Sequence, residues 1–264
     1  MPLIGVTQLA QYVISCRVTD LNPGEMRDLF KGATGHSQGI VSAVAIAASD
    51  SWETLEVNVL KAIKLLFYIG LRGQEAFPLL SIEPQIVADA VDNNEGVPSP
   101  MLAVNGLTAK ALEGHMKKVN AHLPANSKLG ISLYNGSTMN VVTGPAKALY
   151  GLATALRKVM APPGLDQSKT PFSKRKALFN MRFLPINVPF HSPYLKGATA
   201  KLVQDDLEGE DLWKIEELPI AIYNTETGEF GLLNRIPQIA DPHRRGSTES
   251  HFLSHRLALR PDLH

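Results

Sequence analysis

Ser37 lies at the centre of GHSQG, residues 35–39, which fits the pattern G-x-S-x-G. A serine held on a sharp strand-to-helix turn presents its hydroxyl to a substrate, and its neighbours must be small because strand and helix nearly touch. Gly35 and Gly39 suit that crowding. A helix starting near Gln38 would aim its unpaired N–H groups and the positive end of its dipole at the reacting centre. The chemistry implied is nucleophilic attack on an acyl carbonyl. The plain alternative is a serine in an ordinary turn. The order strand, elbow, small-residue helix (KGATGHSQGIVSAVAIAAS) favours the nucleophile.

A serine hydroxyl needs a base to attack a carbonyl at neutral pH, and the chain has 8 histidines. His36 flanks Ser37 within the elbow, so its side chain is expected to shape the pocket. His115 and His122 fall on an expected helix and read as surface or half-buried residues. His243, His251, His255 and His264 belong to an irregular C-terminal stretch. His191 differs: it sits in LPINVPFHSPYL, after an apolar strand and between Pro189 and Pro193. That setting suits a base fixed at the mouth of a cleft, and a structural turn histidine would look the same.

The elements that must carry these residues follow from periodicity. Residues 3–17 place apolar side chains at helical spacing and predict a mostly buried helix. Asn22, Pro23 and Gly24 introduce a short helical piece, residues 30–34 a brief buried strand, and residues 38–49 a helix of small apolar residues. Asp50 and Ser51 offer an N-cap to a long helix over 52–70, extending to about Glu75. Further on come a strand (101–106), a helix (108–123), two strands joined at Asn135 and Gly136 (128–134 and 139–143), a helix (145–160) and a strand (178–186). That β-α-β-β-α-β order is the split pattern of a ferredoxin-like unit. Residues 161–176 form a loop with a basic run, Lys174, Arg175 and Lys176, and a last strand is expected over 218–223 before a turn at NTETG. From residue 230 onward no period persists, which predicts an irregular tail.

Composition narrows the class. The 264 residues are 44% apolar and 19% charged, as in an ordinary soluble domain. Lys plus Arg number 26 against 25 Asp plus Glu, so charge suggests neither nucleic-acid nor membrane binding. Cys16 is the single cysteine, which excludes an internal disulfide framework and a cysteine-based zinc site and fits a reducing, cytoplasmic setting. No metal ligand set is expected. The N-terminal residues lack the pattern of a signal peptide, and no run is long and apolar enough to span a membrane.

KGATGHSQGIVSA, QEAFP, NGSTMNVVTGP and FLPINVPFHSPYL occur in that order. Together they resemble the acyl-CoA:ACP transacylase family, and within it the acetyltransferase domains of fungal fatty acid synthase beta subunits, over roughly residues 3–229. The resemblance implies an α/β class fold: a partial α/β-hydrolase-like acyltransferase core with an inserted ferredoxin-like subdomain. The core would comprise 1–100 and 188–229, the insertion 101–187, and the tail 230–264. It implies a Ser37–His191 dyad, the Gln38 backbone N–H as one oxyanion donor, and a substrate pocket involving His36, Ile69 and Asn135. The activity implied moves an acyl group from acyl-CoA through an acyl-serine to the phosphopantetheine thiol of an acyl carrier protein, with no bound cofactor, inside a larger multidomain synthase. Malonyl-specific relatives carry an arginine where aligning QEAFP puts Ile69. An apolar residue there favours an uncharged, acetyl-like group, although Ile69 also suits a plain core position. Arg72 lies three residues further along the same helix. Lys174, Arg175 and Lys176 are candidates to meet CoA phosphates or the carrier protein, or are simply solvated.

The pattern also departs from the family. The chain begins 36 residues before Ser37 without the glycine- and glutamine-rich loop that supplies a second oxyanion donor in relatives. After Gly228 the sequence no longer resembles them. The expectation is a domain truncated at both ends, with an inactive fragment as one alternative. A serine hydrolase is the other, which would want an acid partner for His191.

Overall fold

The computed structural model describes residues 1–162, 164–208, 212–214, 218–223 and 225. The tail expected from residue 230 and most of the NTETG turn lie outside the described residues. The chain divides into two compact units, one comprising Met1–Arg72 and the described residues from Gly197 onward, the other Gly73–Lys196. Among the described residues no helix is long and apolar enough to cross a membrane.

The first unit holds α1 (Pro2–Thr19), α2 (Pro23–Asp28), β1 (Gly32–Thr34), α3 (Gly39–Ala47) and most of α4 (Trp52–Ala76). Asn22 caps α2 reciprocally: its Oδ1 accepts the Glu25 N–H at 2.9 Å, while Glu25 Oε2 accepts the Asn22 N–H at 2.8 Å. Arg27, on α2, is buried and donates to Ala47 O (3.5 Å) and Ser49 O (3.2 Å) at the C-terminal end of α3. A cation there complements the negative end of the helix dipole, and Asp28 and Asp50 balance its charge. This contact fixes α3 from behind. In front, β1 pairs in parallel with β6 (Ala221–Tyr223), Gly32 opposite Ala221 and Thr34 opposite Tyr223.

α1 departs from the expected burial. Only Gly5, Leu9 and Cys16 are buried, whereas Leu3 and Val18 are 81% and 80% exposed. Apolar residues surround this helix on every side, so their spacing marks no single face. The face that docks is set instead by its partner: Ser42 on α3 donates to Gln8 Oε1 at 2.8 Å.

The second unit contains α5 (Pro84–Asp92), β2 (Met101–Asn105), α6 (Ala109–Asn120), β3 (Gly130–Tyr134), β4 (Met139–Thr143), α7 (Ala146–Arg157) and β5 (Asn180–Phe183). Its strands form one antiparallel sheet in the order β3-β4-β2-β5. Leu102, Val104 and Val142 pack with Leu112 of α6 and Leu149, Leu152 and Leu156 of α7 in one apolar core. Burying each such side chain contributes about 1.5–3 kcal/mol, so this core holds the unit together. α5 has no counterpart among the elements that periodicity predicts. Arg157 ties it to α7: the guanidinium grips Glu95 through two 2.6 Å bonds and reaches Asp89 at 2.6 Å, while the Tyr150 hydroxyl donates to Asp89 at 2.8 Å. After Lys196 the chain returns to the first unit with the short α8 (Ala198–Lys201), which runs into a π-type turn ending at Asp206.

Candidate active site

Ser37 occupies the turn between β1 and α3 with φ +53°, a left-handed conformation. For a serine this costs on the order of 1–3 kcal/mol, and such strain concentrates at functional sites. The turn is closed by Gly39 N–H to His36 O (2.9 Å), Ile40 N–H to Ser37 O (3.2 Å) and Val41 N–H to Gln38 O (3.1 Å). These bonds leave the Gln38 N–H unused by the turn. Gly35 is there for a steric reason: a Cβ on it would lie 2.1 Å from the Gly39 carbonyl carbon and 2.3 Å from Ile40 N. Gly39 differs from expectation, since a Cβ there would meet nothing nearer than Gln8 Nε2 at 3.7 Å. The crowding in the elbow therefore falls on Gly35. Behind the turn, α3 is buried at seven of its nine positions, as its small side chains allow.

Gln38 contributes one feature that no sequence signal announced. Its side-chain Oε1 is buried with no hydrogen-bond partner, a state that costs about 1–3 kcal/mol unless a donor arrives. His36 is exposed. Ile69, on α4, is buried at 9% exposure. Three residues on, Arg72 makes a two-point contact with Asp206, Nε to Oδ2 at 2.8 Å and Nη2 to Oδ1 at 2.9 Å. The Asp206 side chain is only 5% exposed. The Arg72 charge is thus matched by a carboxylate 134 positions further along the chain.

The second unit carries the other candidates. His191 lies in the segment after β5 and also has a left-handed backbone, φ +58°. That segment is fastened along its length. Ser99 Oγ donates to Leu184 O (2.6 Å), Val188 and Pro189 are buried, and Ser192 Oγ donates to Pro189 O. The Tyr194 hydroxyl donates to Lys128 O (2.7 Å), and burial pushes that phenol's pKa up. Its ring meets Phe77 edge-on at 5.3 Å. Asn135 is exposed at the β3–β4 turn, its N–H donating to Met139 O at 2.8 Å.

The loop after α7 closes on itself. Ala161 N–H donates to Ala177 O at 2.9 Å, and Gln167 bonds both backbone groups of Lys176. Arg175 donates to Thr170 O (2.8 Å) and Ser168 O (3.2 Å), so this guanidinium braces the loop from within. Lys169, Lys174 and Lys176 are exposed, and Phe172 is 87% exposed among them. The structure therefore gathers His36, Ser37 and Gln38 in one elbow, with Ile69 on a helix of the same unit. His191, Asn135 and the basic run belong to the other unit.

The family model described as "Starter unit:ACP transacylase in aflatoxin biosynthesis" matches residues 1–177. The chain is 49% identical over 227 residues to the fatty acid synthase subunit beta of Saccharomyces cerevisiae, which is 86% of this chain and 11% of that protein. It is 44% identical over 226 residues to the fatty acid synthase subunit beta of Schizosaccharomyces pombe, again 86% of this chain and 11% of that protein. The chain thus spans about a tenth of the length of these relatives. Among solved structures, the malonyl CoA-acyl carrier protein transacylase from Clostridium perfringens superposes with a TM-score of 0.54 at 18% identity, covering 97% of this chain and 59% of that one. This likeness shows a shared mixed α/β fold. With the family match extending from the first residue through the elbow and the strands β2, β3 and β4, the chain belongs to the starter unit:ACP transacylase family.

Proposed function

We propose that this chain is an acyltransferase unit that loads a short, uncharged acyl group from CoA onto an acyl carrier protein, as part of a larger fatty-acid-type synthase acting in the cytoplasm. The observation that carries the reading is the left-handed Ser37, held on a strand-turn-helix whose Gly35 leaves no room for a side chain. In this mechanism His191 takes the Ser37 hydroxyl proton as Oγ attacks the thioester carbonyl. The Gln38 N–H, at the positive end of α3, stabilises the oxyanion. The carbon–sulfur bond breaks, and the CoA sulfur leaves with the proton returned from His191. The phosphopantetheine thiol of the carrier, deprotonated in turn by His191, attacks the acyl-serine and regenerates Ser37. No bound cofactor or metal takes part.

His36, Ile69 and Asn135 are assigned to the substrate pocket. A buried aliphatic side chain at position 69 suits an acetyl group, and Arg72 is matched by Asp206. The strand order β3-β4-β2-β5 with α6 and α7 supports a ferredoxin-like subdomain over 101–187 inserted in an α/β-hydrolase-like core. For carrier or CoA contact, the exposed Lys174 and Lys176 suit better than Arg175, whose guanidinium is bonded within its own loop.

Incubation with radiolabelled acetyl-CoA and a phosphopantetheinylated carrier protein tests the reading. Label moving to the carrier, and lost in Ser37→Ala, supports transfer. Release of free acetate instead would make the protein a hydrolase, and absence of any label would make it an inactive fragment.

A further inference from the structure

We infer that Ser192 is a positioning residue for His191. This rests on the reading of His191 as the base. The backbone at His191 adopts φ +58°, a conformation that an isolated histidine would leave for the right-handed or extended regions. Ser192 follows it, is 3% exposed, and donates its hydroxyl proton to Pro189 O. That bond closes a small ring around Phe190 and His191. Phe190 N–H donates to Val188 O at 2.9 Å just before the ring, and Leu195 N–H donates to Ser192 O at 3.2 Å just after it.

The ring has a fixed seat. Val188, 4% exposed, rests on Gly73 of α4: a Cβ at that glycine would come within 2.8 Å of Val188 Cγ1. Val188 and Pro189 are therefore anchored, and the Ser192 hydroxyl ties the far side of His191 to that anchor. Because its proton is committed to a buried proline carbonyl, the Ser192 hydroxyl is itself no nucleophile. Removing it leaves Pro189 O without this donor and frees the peptide at His191 to relax toward negative φ, which swings the imidazole. Misplacing a reacting group by about 1 Å costs on the order of a hundredfold in rate.

The test uses the purified full chain and the rate of Ser37 acylation by acetyl-CoA. Ser192→Ala is expected to lower kcat about tenfold to a hundredfold with KM for acetyl-CoA unchanged, and Ser192→Thr, which keeps the hydroxyl, to restore it. Ser192→Cys keeps the volume and weakens the hydrogen bond; it is expected to fall between them, and it decides the matter should the alanine variant not fold. In a His191→Ala background, adding Ser192→Ala is expected to cost nothing further, since a positioning effect vanishes with the group positioned. A folded Ser192→Ala or Ser192→Cys protein with the parent kcat overturns the inference, as does an equal loss in the His191→Ala background. A His191→Ala protein as active as its parent would overturn the reading of His191 as base, a separate failure that the single variant reveals alone.

Discussion

At the scale of single residues, the proposed nucleophile and the proposed base each lie on a backbone held where its side chain would not place it unaided. Ser37 and His191 both lie in the left-handed region, and each is kept there by neighbours rather than by its own preference. For Ser37 the sequence made this legible, because Gly35, two residues before it, advertises a turn too tight for Cβ. For His191 it did not: two prolines suggested a pinned loop, but a serine hydroxyl can bond its own backbone in several local patterns or bond water, so the Ser192–Pro189 bond, three residues apart, left no unique signal. The Gln38 amide oxygen and the Arg72–Asp206 pair were equally invisible, since contacts between residues 134 positions apart leave no local trace. Ile69 carries the prediction that belongs at this scale. An arginine in its place would offer a guanidinium fork to a free carboxylate. Ile69→Arg is therefore expected to raise malonyl over acetyl loading by tenfold or more, on the order of the 1.5–3 kcal/mol of a charge-assisted hydrogen bond. Parallel assays with the two CoA esters check this, and equal malonyl and acetyl rates in the unmutated chain would contradict the acetyl assignment.

At the scale of elements, the strands and helices from 101 to 183 were legible because period-2 and period-3.6 segments alternate cleanly there, and the strand Met139–Thr143 falls where the alternation put it. The nine-residue α5 escaped, although Pro84 in its first turn and the inward-facing Ala90 were available signals. What ties α5 to α7 is electrostatic. Glu95 has a side chain only 3% exposed and depends on Arg157. Arg157→Met, which preserves bulk, leaves that carboxylate uncompensated and is expected to cost about 3–5 kcal/mol, read as a lower urea midpoint. The Asp89 carboxyl is held below its usual range, chiefly by the Arg157 hydrogen bond and then by that of Tyr150. A depressed folded pKa means stability that is present above the ordinary aspartate value and lost as pH falls through the lowered one. The gap between the parent and Arg157→Met should therefore narrow on acidification below about pH 4, and a gap constant from pH 7 to pH 3 would contradict the assignment.

At the scale of the whole molecule, a formal net charge of +1 gives no global field to draw in a partner. A local patch is the alternative, and the loop closed between Ala161 and Ala177 carries exposed Lys169, Lys174 and Lys176 together with an 87% exposed Phe172, on a frame braced by Arg175 and Gln167. The sequence showed the basic run but not which members face outward, because that depends on how the loop folds back on itself. Phe172→Asp combined with Lys174→Glu separates carrier contact from CoA contact: if the loop meets the carrier, the KM for a carrier protein rises about tenfold or more while acylation by acetyl-CoA is unchanged. Steady-state transfer at varied carrier concentration measures the first and single-turnover acylation the second. Equal effects on both, or on neither, would remove the loop from carrier binding.

The central claim is that Ser37 carries the acyl group, and peptide mapping by mass spectrometry after a brief reaction with acetyl-CoA tests it most directly. An acetyl adduct on the peptide containing Ser37, absent in Ser37→Ala and removed on adding carrier thiol, is the result expected. An unmodified Ser37, or an adduct that persists elsewhere in Ser37→Ala at the parent rate, would contradict it.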